Sequence, residues 1–155
     1  MYRNIVVGTD GSMSAERAVD RAGELAGLTG ATVHLVSVYR VCAAPRSPNA
    51  GGVAMAWDEE ARISDRRRRL DATAARLAAS GLDVRARLAF GDPASALVAT
   101  AADVCAELVV VGDRGLKGLR HLFGSVPGSV THNAPVDVLV VRTTEGHNPS
   151  RKGKP

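Results

Sequence analysis

Between Gly112 and Val126 the chain reads GDRGLKGLRHLFGSV, and these residue types suit an anion. Gly112, Gly115 and Gly118 let the backbone turn tightly and approach a ligand with no Cβ in the way. Gly124-Ser125-Val126 then leads into a run compatible with a helix. The unpaired N–H groups and positive dipole end of such a helix attract phosphate. Strand, glycine loop and helix N-terminus in that order make a phosphate cradle. The spacing is neither the G-x-x-x-x-G-K-[ST] of a Walker loop nor the G-x-G-x-x-G of dinucleotide folds. An ordinary loop with glycines at its turns has the same composition, so position in the fold must decide between the two.

A second constellation, Gly8-Thr9-Asp10-Gly11, follows Ile5-Val6-Val7. A carboxylate at Asp10 can accept from a ribose hydroxyl or an adenine amino group, help to hold a metal, or serve only the turn. Val38, near the end of a later apolar run, can offer backbone groups and an apolar wall to a base, or be plain core. Catalytic patterns are missing: there is no G-x-S-x-G elbow and no H-E-x-x-H helix. His34, His121, His132 and His147 have no ligand spacing. Ser125 has no base near it in sequence and reads as a cap and phosphate ligand rather than a nucleophile.

These residues need elements to position them. Ile5-Val6-Val7 is a short buried strand closed by a turn. Ser12 or Ser14 can cap the helix that follows, where Ala18, Val19, Ala22, Leu25 and Ala26 share one face. Gly27 and Gly30 are expected to end it. Residues 32–39 (TVHLVSVY) form the second strand, and 40–56 read as a mobile loop. A long helix is expected over 57–80, with Ile63, Leu70, Ala74 and Leu77 as its apolar stripe and Gly81 in the C′ position. Val84, Ala86 and Leu88 alternate with Arg85 and Arg87, which suits a strand at a sheet edge. Asp92-Pro93 is an N-cap followed by a proline at N1. Residues 108–111 form a buried strand, Ser125 caps a helix to about His132, and 136–141 (VDVLVV) form the last strand. Near-continuous apolar strands alternating with helices indicate a parallel, doubly wound sheet. Ligands of such sheets bind at the carboxyl ends of the strands, where the strand order reverses. The exits of the first and fourth strands are also the two richest in glycine.

The bulk composition narrows the classes. A chain of 155 residues fits one domain, and a domain of roughly this size buries about two thirds of its unfolded surface. Cys42 and Cys105 are too isolated for a disulfide framework, which favours a reducing compartment. The apolar run at residues 5–7 is far short of a signal or membrane segment, so a cytoplasmic protein with no membrane partner is expected. The net charge of +4 is spread over mixed runs such as 58–71, which read as a solvated helix face. With aromatics at 3%, stacking platforms for single strands are nearly absent, and no nucleic-acid partner is expected.

From IVVGTDGS through ERAVDRAGELA to GSVPGSVTHNAPVDVLVVR, the chain resembles the universal stress protein family along nearly its full length. The family's ATP-binding subgroup carries G-x-x-G, a gap, then G-[ST]. Here Gly112-Asp-Arg-Gly115 is followed by eight residues and Gly124-Ser125, a gap one residue shorter than usual. The resemblance implies that Gly8, Thr9 and Asp10 flank adenine and ribose, with Val38 contacting the base and Val111 packing nearby. It implies that Gly112 meets the ribose and that Gly115, Gly124, Ser125 and Val126 surround the phosphates. ATP, with or without Mg²⁺, is the implied ligand of a stress-linked binding protein without strong catalytic apparatus.

Asp113 departs from the small polar residue common in the family. A carboxylate about 4 Å from a phosphate charge costs roughly 4 kcal/mol at an effective dielectric near 20. That disfavours a triphosphate unless the carboxylate turns away or binds a bridging metal. Arg114, Lys117 and Arg120 can offset it or remain solvated loop charges. GSVPGSV and VDVLVVRTT resemble small members that prefer cyclic AMP, so cyclic AMP or AMP is the alternative ligand. A slow ATPase and a dimeric scaffold that binds no nucleotide are the remaining alternatives.

Pattern and resemblance together give one flavodoxin-like domain over residues 1–142. Its five parallel strands are expected in the order 3-2-1-4-5, followed by a flexible basic tail over 143–155. The last strand has an apolar edge, with Asp137 its one charge, that invites pairing. A homodimer through residues 136–142 is expected, as is common in the family.

Overall fold

The computed structural model describes residues 1–40, 52–113 and 125–142, with only the backbone of 52–58. Residues 41–51, 114–124 and 143–155, which include the expected mobile loop up to Gly51 and the basic tail, lie outside the described residues. Among the described residues nine elements alternate in the order expected: β1 (Asn4–Gly8), α1 (Met13–Thr29), β2 (Thr32–Tyr39), α2 (Gly52–Ala78), β3 (Val84–Phe90), α3 (Pro93–Asp103), β4 (Leu108–Gly112), α4 (Val126–Asn133) and β5 (Asp137–Val141). All neighbouring strands are parallel and the sheet order is β3-β2-β1-β4-β5. The doubly wound reading is therefore correct.

The central strands are apolar on both faces because helices cover both. Ile5, Val7, Val33, Leu35, Leu108 and Val110 pack with α1 and α2. Val6, Val36, Val109 and Val111 point the other way, towards α3 and α4. Strand β3 lies at the edge, and its outward Arg85 and Arg87 are exposed, as their alternation with Val84, Ala86 and Leu88 suggests.

Local chemistry sets the element ends. Ser12 is the N-cap of α1, its hydroxyl accepting from the Ala15 N–H, whereas Ser14 is buried in the first turn. The helix stops at Gly30 (φ 74°), and Gly27 is interior to it. One interior glycine costs about 1 kcal/mol relative to alanine, too little to break a packed helix. Helix α2 begins at Gly52 rather than Trp57 and ends at Ala78 rather than Ser80. The last of the glycine and proline punctuators is Gly52, and Ala54, Met55 and Ala56 beyond it favour helix. Its charged run is a solvated face: Arg67 pairs with Asp71, and Arg68 and Arg69 with Asp65. Leu70 and Leu77 turn inward.

Asp92 caps α3, with Pro93 in its first turn. That helix ends on a residue with no obvious stop signal. Cys105 (φ 51°) takes the left-handed position, while its N–H donates to the Ala102 carbonyl and that of Ala106 to the Ala101 carbonyl. This is the bonding of a Schellman cap, with cysteine where glycine is usual. At the opposite end of the sheet from the glycine exits, Glu107 Oε2 accepts from the Arg3 and Asn4 N–H groups at 3.0 and 2.9 Å. Those two backbone donors, Asn4 first, hold its carboxyl below the usual range. Strand β5 starts at Asp137, with Val136 just outside it.

Candidate functional site

Strands β1 and β4 are adjacent and in register, with Ile5 opposite Leu108 and Val7 opposite Val110. Successive crossovers leave β1 towards β2 and β3 on one side and towards β4 and β5 on the other. The switch point, where such sheets place their ligands, falls between the exits of β1 and β4. Both exits end on glycine.

At the first exit the Thr9 N–H still bonds the Val36 carbonyl at 2.8 Å, after which the chain turns. Gly11 holds φ at 79°, a conformation costly for any other residue but asparagine or aspartate. Thr9 Oγ1 accepts from the Gly11 N–H and Asp10 Oδ1 from the Ser12 N–H at 3.0 Å. Both side chains thus build the turn that aims α1, and Asp10 is exposed above it. A methyl group on Gly8 would lie 3.0 Å from Leu97 Cδ1, so Leu97 of α3 closes the floor beneath this exit.

At the second exit a methyl group on Gly112 would lie 2.4 Å from the Ser14 carbonyl oxygen, so the first turn of α1 rests directly on this residue. Val111 is buried in the core facing α3 and α4. The Asp113 N–H donates to the Val141 carbonyl at 3.0 Å, carrying the β4–β5 ladder one residue past Gly112, and Asp113 is itself buried. After the segment 114–124, Ser125 caps α4: its hydroxyl accepts from the Gly128 N–H at 3.2 Å. Val126 is half-buried against the same core, and Val38, opposite Ala89 near the end of β2, also packs against it.

Gly8, Thr9, Asp10, Val111 and Gly112 therefore cluster at neighbouring strand ends, with α4 and its Ser125 cap after β4. Gly115 and Gly124, with Arg114, Lys117, Arg120 and His121, lie outside the described residues. The sequence pattern gave no hint that Ser14 and Leu97 contact the two glycines, because both contacts are non-local. Nor did it show that Arg40 donates to Asp92 Oδ1, joining the end of β2 to the cap of α3 at the same end of the sheet. The Ser95 backbone N–H, with help from its hydroxyl and Arg40, holds the Asp92 carboxyl below its usual value. A groove of about 510 Å³ runs between α3 and α4, lined in part by Ser95, Val98, Ser129 and Asn133. Its polar groups are used within the protein: Ser95 Oγ donates to Asp92 and Asn133 Nδ2 to the Ser129 carbonyl.

A parallel 3-2-1-4-5 sheet with glycine at both central exits defines a doubly wound α/β domain with its switch point between β1 and β4. Within that class the chain belongs to the universal stress protein family, whose model matches residues 1–142. A universal stress protein of Mycobacterium tuberculosis is 38% identical over 148 residues, covering 92% of this chain and 98% of that protein. Among solved structures, a universal stress protein in complex with cAMP is 36% identical, with a TM-score of 0.70 over 92% of this chain and 99% of the other. A universal stress protein from Archaeoglobus fulgidus in complex with dAMP is 25% identical, with a TM-score of 0.60 over 90% of this chain and 97% of the other. No described helix is long and apolar enough to cross a membrane.

Proposed function

We propose that this chain is an adenine-nucleotide-binding module of stress signalling that holds its ligand in the cleft between the exits of β1 and β4. The observation that carries this reading is the clustering of Gly8, Thr9, Asp10, Val111 and Gly112 at the switch point of a fold whose relatives include complexes with cAMP and dAMP. In this arrangement Val38 and Thr9 border the base and Gly112 lies under the ribose. Gly115, Gly124, Ser125 and Val126 supply N–H and hydroxyl donors to phosphate. ATP, alone or with Mg²⁺, is the first ligand to test, because the G-x-x-G and G-S elements suit a polyphosphate. Cyclic AMP or AMP in the same cleft is the second reading, favoured by the buried carboxyl residue Asp113 at the β4 exit. The module works in the cytoplasm by occupancy rather than turnover, without nucleic-acid or membrane partners.

At 100 times its Kd a ligand stabilises the fold by about 2.7 kcal/mol. For a domain of this length that raises the Tm by roughly 5–11 °C. ATP, ADP, AMP and cyclic AMP, each with and without Mg²⁺, are the ligands to compare. Failure of all of them to shift the midpoint rejects the reading. An ATP turnover near the enzyme median of about 10 per second, lost in Ser125→Ala, would make the protein an enzyme instead.

The assembly that goes with this reading is a homodimer through residues 136–142. Strand β5 is a sheet edge whose Val138, Leu139, Val140 and Val141 are only half-buried within one chain, with Asp137 its one charge. A two-fold contact would cover those side chains and the free backbone groups. Light scattering should report a dimer for the chain truncated after Thr144 and a monomer for Val140→Lys. A monomeric wild type at tens of micromolar rules the dimer out.

A further inference from the structure

At the end of the sheet remote from the glycine exits, one imidazole sits in an electrostatically hostile place. His34 lies on β2 between Val6 of β1 and Arg85 of β3, directly opposite each in register. Residues in one row of a parallel sheet share a face. This face, with Val6 and Val36, is the one covered by α3. His34 is only 7% exposed, and its Nε2 stands 3.1 Å from Asn4 Oδ1. The acceptor is an amide oxygen, so the imidazole satisfies it as a neutral N–H donor and needs no charge to do so.

Among the described residues, the surrounding charges do not offer His34 a counter-ion of its own. From β3 come Arg85 and, one row on, Arg87 opposite Val36, with Asp83 just before the strand. Asp83 accepts from Thr32 Oγ1. From α3 comes Asp103, whose carboxylate pairs with Arg87 at 2.7 Å. From the start of β4 comes Glu107, bonded to the backbone of Arg3 and Asn4. Strand β1 presents only the neutral Asn4 side chain.

We propose that His34, Arg85 and Arg87 form a proton-operated catch on the β3 edge, in which protonation of the imidazole sets three like charges on two adjoining strands and loosens β3 from β2 in mild acid. Strand β3 is the weak point because, as an edge, it has β2 as its single strand partner among the described residues. Burial first, then Arg85, pushes the His34 pKa below its ordinary value of 6.5, with Asp83 opposing. A lowered native value means that the unfolded chain takes up the proton first. Stability is then unchanged above about pH 6.5 and falls as the pH drops below it. Asp92 and Glu107, both shifted down, titrate in a lower range, outside the window between about pH 5 and 7.

Two measurements on the full chain test the catch. In NMR the His34 ring should titrate below 6.5, and Arg85→Gln should move it back up. Amide exchange, corrected for the intrinsic pH dependence, should show protection of β3 falling about tenfold relative to β4 between pH 7 and 5. His34→Gln keeps an N–H donor for Asn4 but cannot titrate, so it should hold β3 protection constant over that range. A His34 ring that titrates at or above 6.5, or parallel losses in β3 and β4, overturns the proposal. If His34→Gln does not fold, the Arg85→Gln titration and the wild-type exchange decide it alone.

Discussion

The exits of β1 and β4 look alike in sequence, each a valine run closed by glycine, yet the two glycines are required for different reasons. Beside Gly8 the space for a side chain is taken by the end of a leucine side chain, Leu97 Cδ1 at 3.0 Å. Beside Gly112 it is taken by backbone, the Ser14 carbonyl oxygen at 2.4 Å. A leucine can change rotamer, but a carbonyl in the first turn of a packed helix cannot move without the helix. One glycine therefore accommodates a neighbour, whereas the other is the seat on which α1 docks. The difference teaches that a glycine in a ligand motif can be fixed by the fold before any ligand arrives.

The largest effect should come from Gly112→Ala. Overpacking of a close-packed site costs typically 1–3 kcal/mol, and a clash with backbone belongs at the upper end, about 3 kcal/mol. Urea unfolding at pH 7.5 would measure it. A loss below about 1 kcal/mol would show that α1 can lift off β4, and the contrast between the two exits would vanish.

What the sequence made legible follows the same line between local and non-local causes. The Val, Ile and Leu runs of β1, β2 and β4, the Arg85/Arg87 alternation at the β3 edge and the caps Ser12, Asp92 and Ser125 are all local signals, and each is found in the fold. The seat at Gly112 depends on Ser14, nearly a hundred residues away, and no window of sequence contains both. Cys105 escapes for another reason: stop signals look for glycine or asparagine, and here a cysteine bears the left-handed φ of 51°. Gly27 misleads in the opposite direction, because tertiary packing carries α1 through it to Gly30. For the site, Thr9 and Asp10 were readable as turn or ligand residues, and their bonds to the Gly11 and Ser12 N–H groups establish the turn role.

Two caps sharpen the comparison at an intermediate scale. Ser12 opens α1 beyond the β1 exit, and Ser125 opens α4 beyond the β4 exit. Each hydroxyl accepts one backbone N–H at 3.3 or 3.2 Å, so each serine-to-alanine change should cost about 1 kcal/mol in chemical denaturation. Under the proposed function their ligand effects differ. Ser125→Ala should also weaken nucleotide binding, while Ser12→Ala should leave it near wild type in a thermal-shift titration. Equal binding losses would place phosphate contacts on both helices.

Gly8→Ala tests the yielding side of the pair. The added methyl asks Leu97 to move by a few tenths of an ångström, so a cost of less than about 1 kcal/mol is expected, near the bottom of the overpacking range. A loss as large as that of Gly112→Ala would mean that Leu97 is as fixed as backbone and that both glycines are structural seats.

The smallest change in stability should come from Asp10→Asn, which for that reason isolates the ligand role most cleanly. The amide oxygen of asparagine can accept from the Ser12 N–H as Asp10 Oδ1 does, and the residue is exposed. Such a surface substitution should stay within about 0.5 kcal/mol of wild type in urea. Removing the charge matters more to a bound nucleotide. If the Asp10 carboxylate receives a ribose hydroxyl, a charged acceptor gives way to a neutral one, whose hydrogen bond is weaker by about 1 kcal/mol. Nucleotide affinity should then fall roughly fivefold while the apparent fold stability holds. If Asp10 instead helps to hold Mg²⁺, the loss should appear only when Mg²⁺ is present. A variant that binds every adenine nucleotide as wild type does would confine Asp10 to its turn and shift the polar recognition of the ligand to the β4 exit.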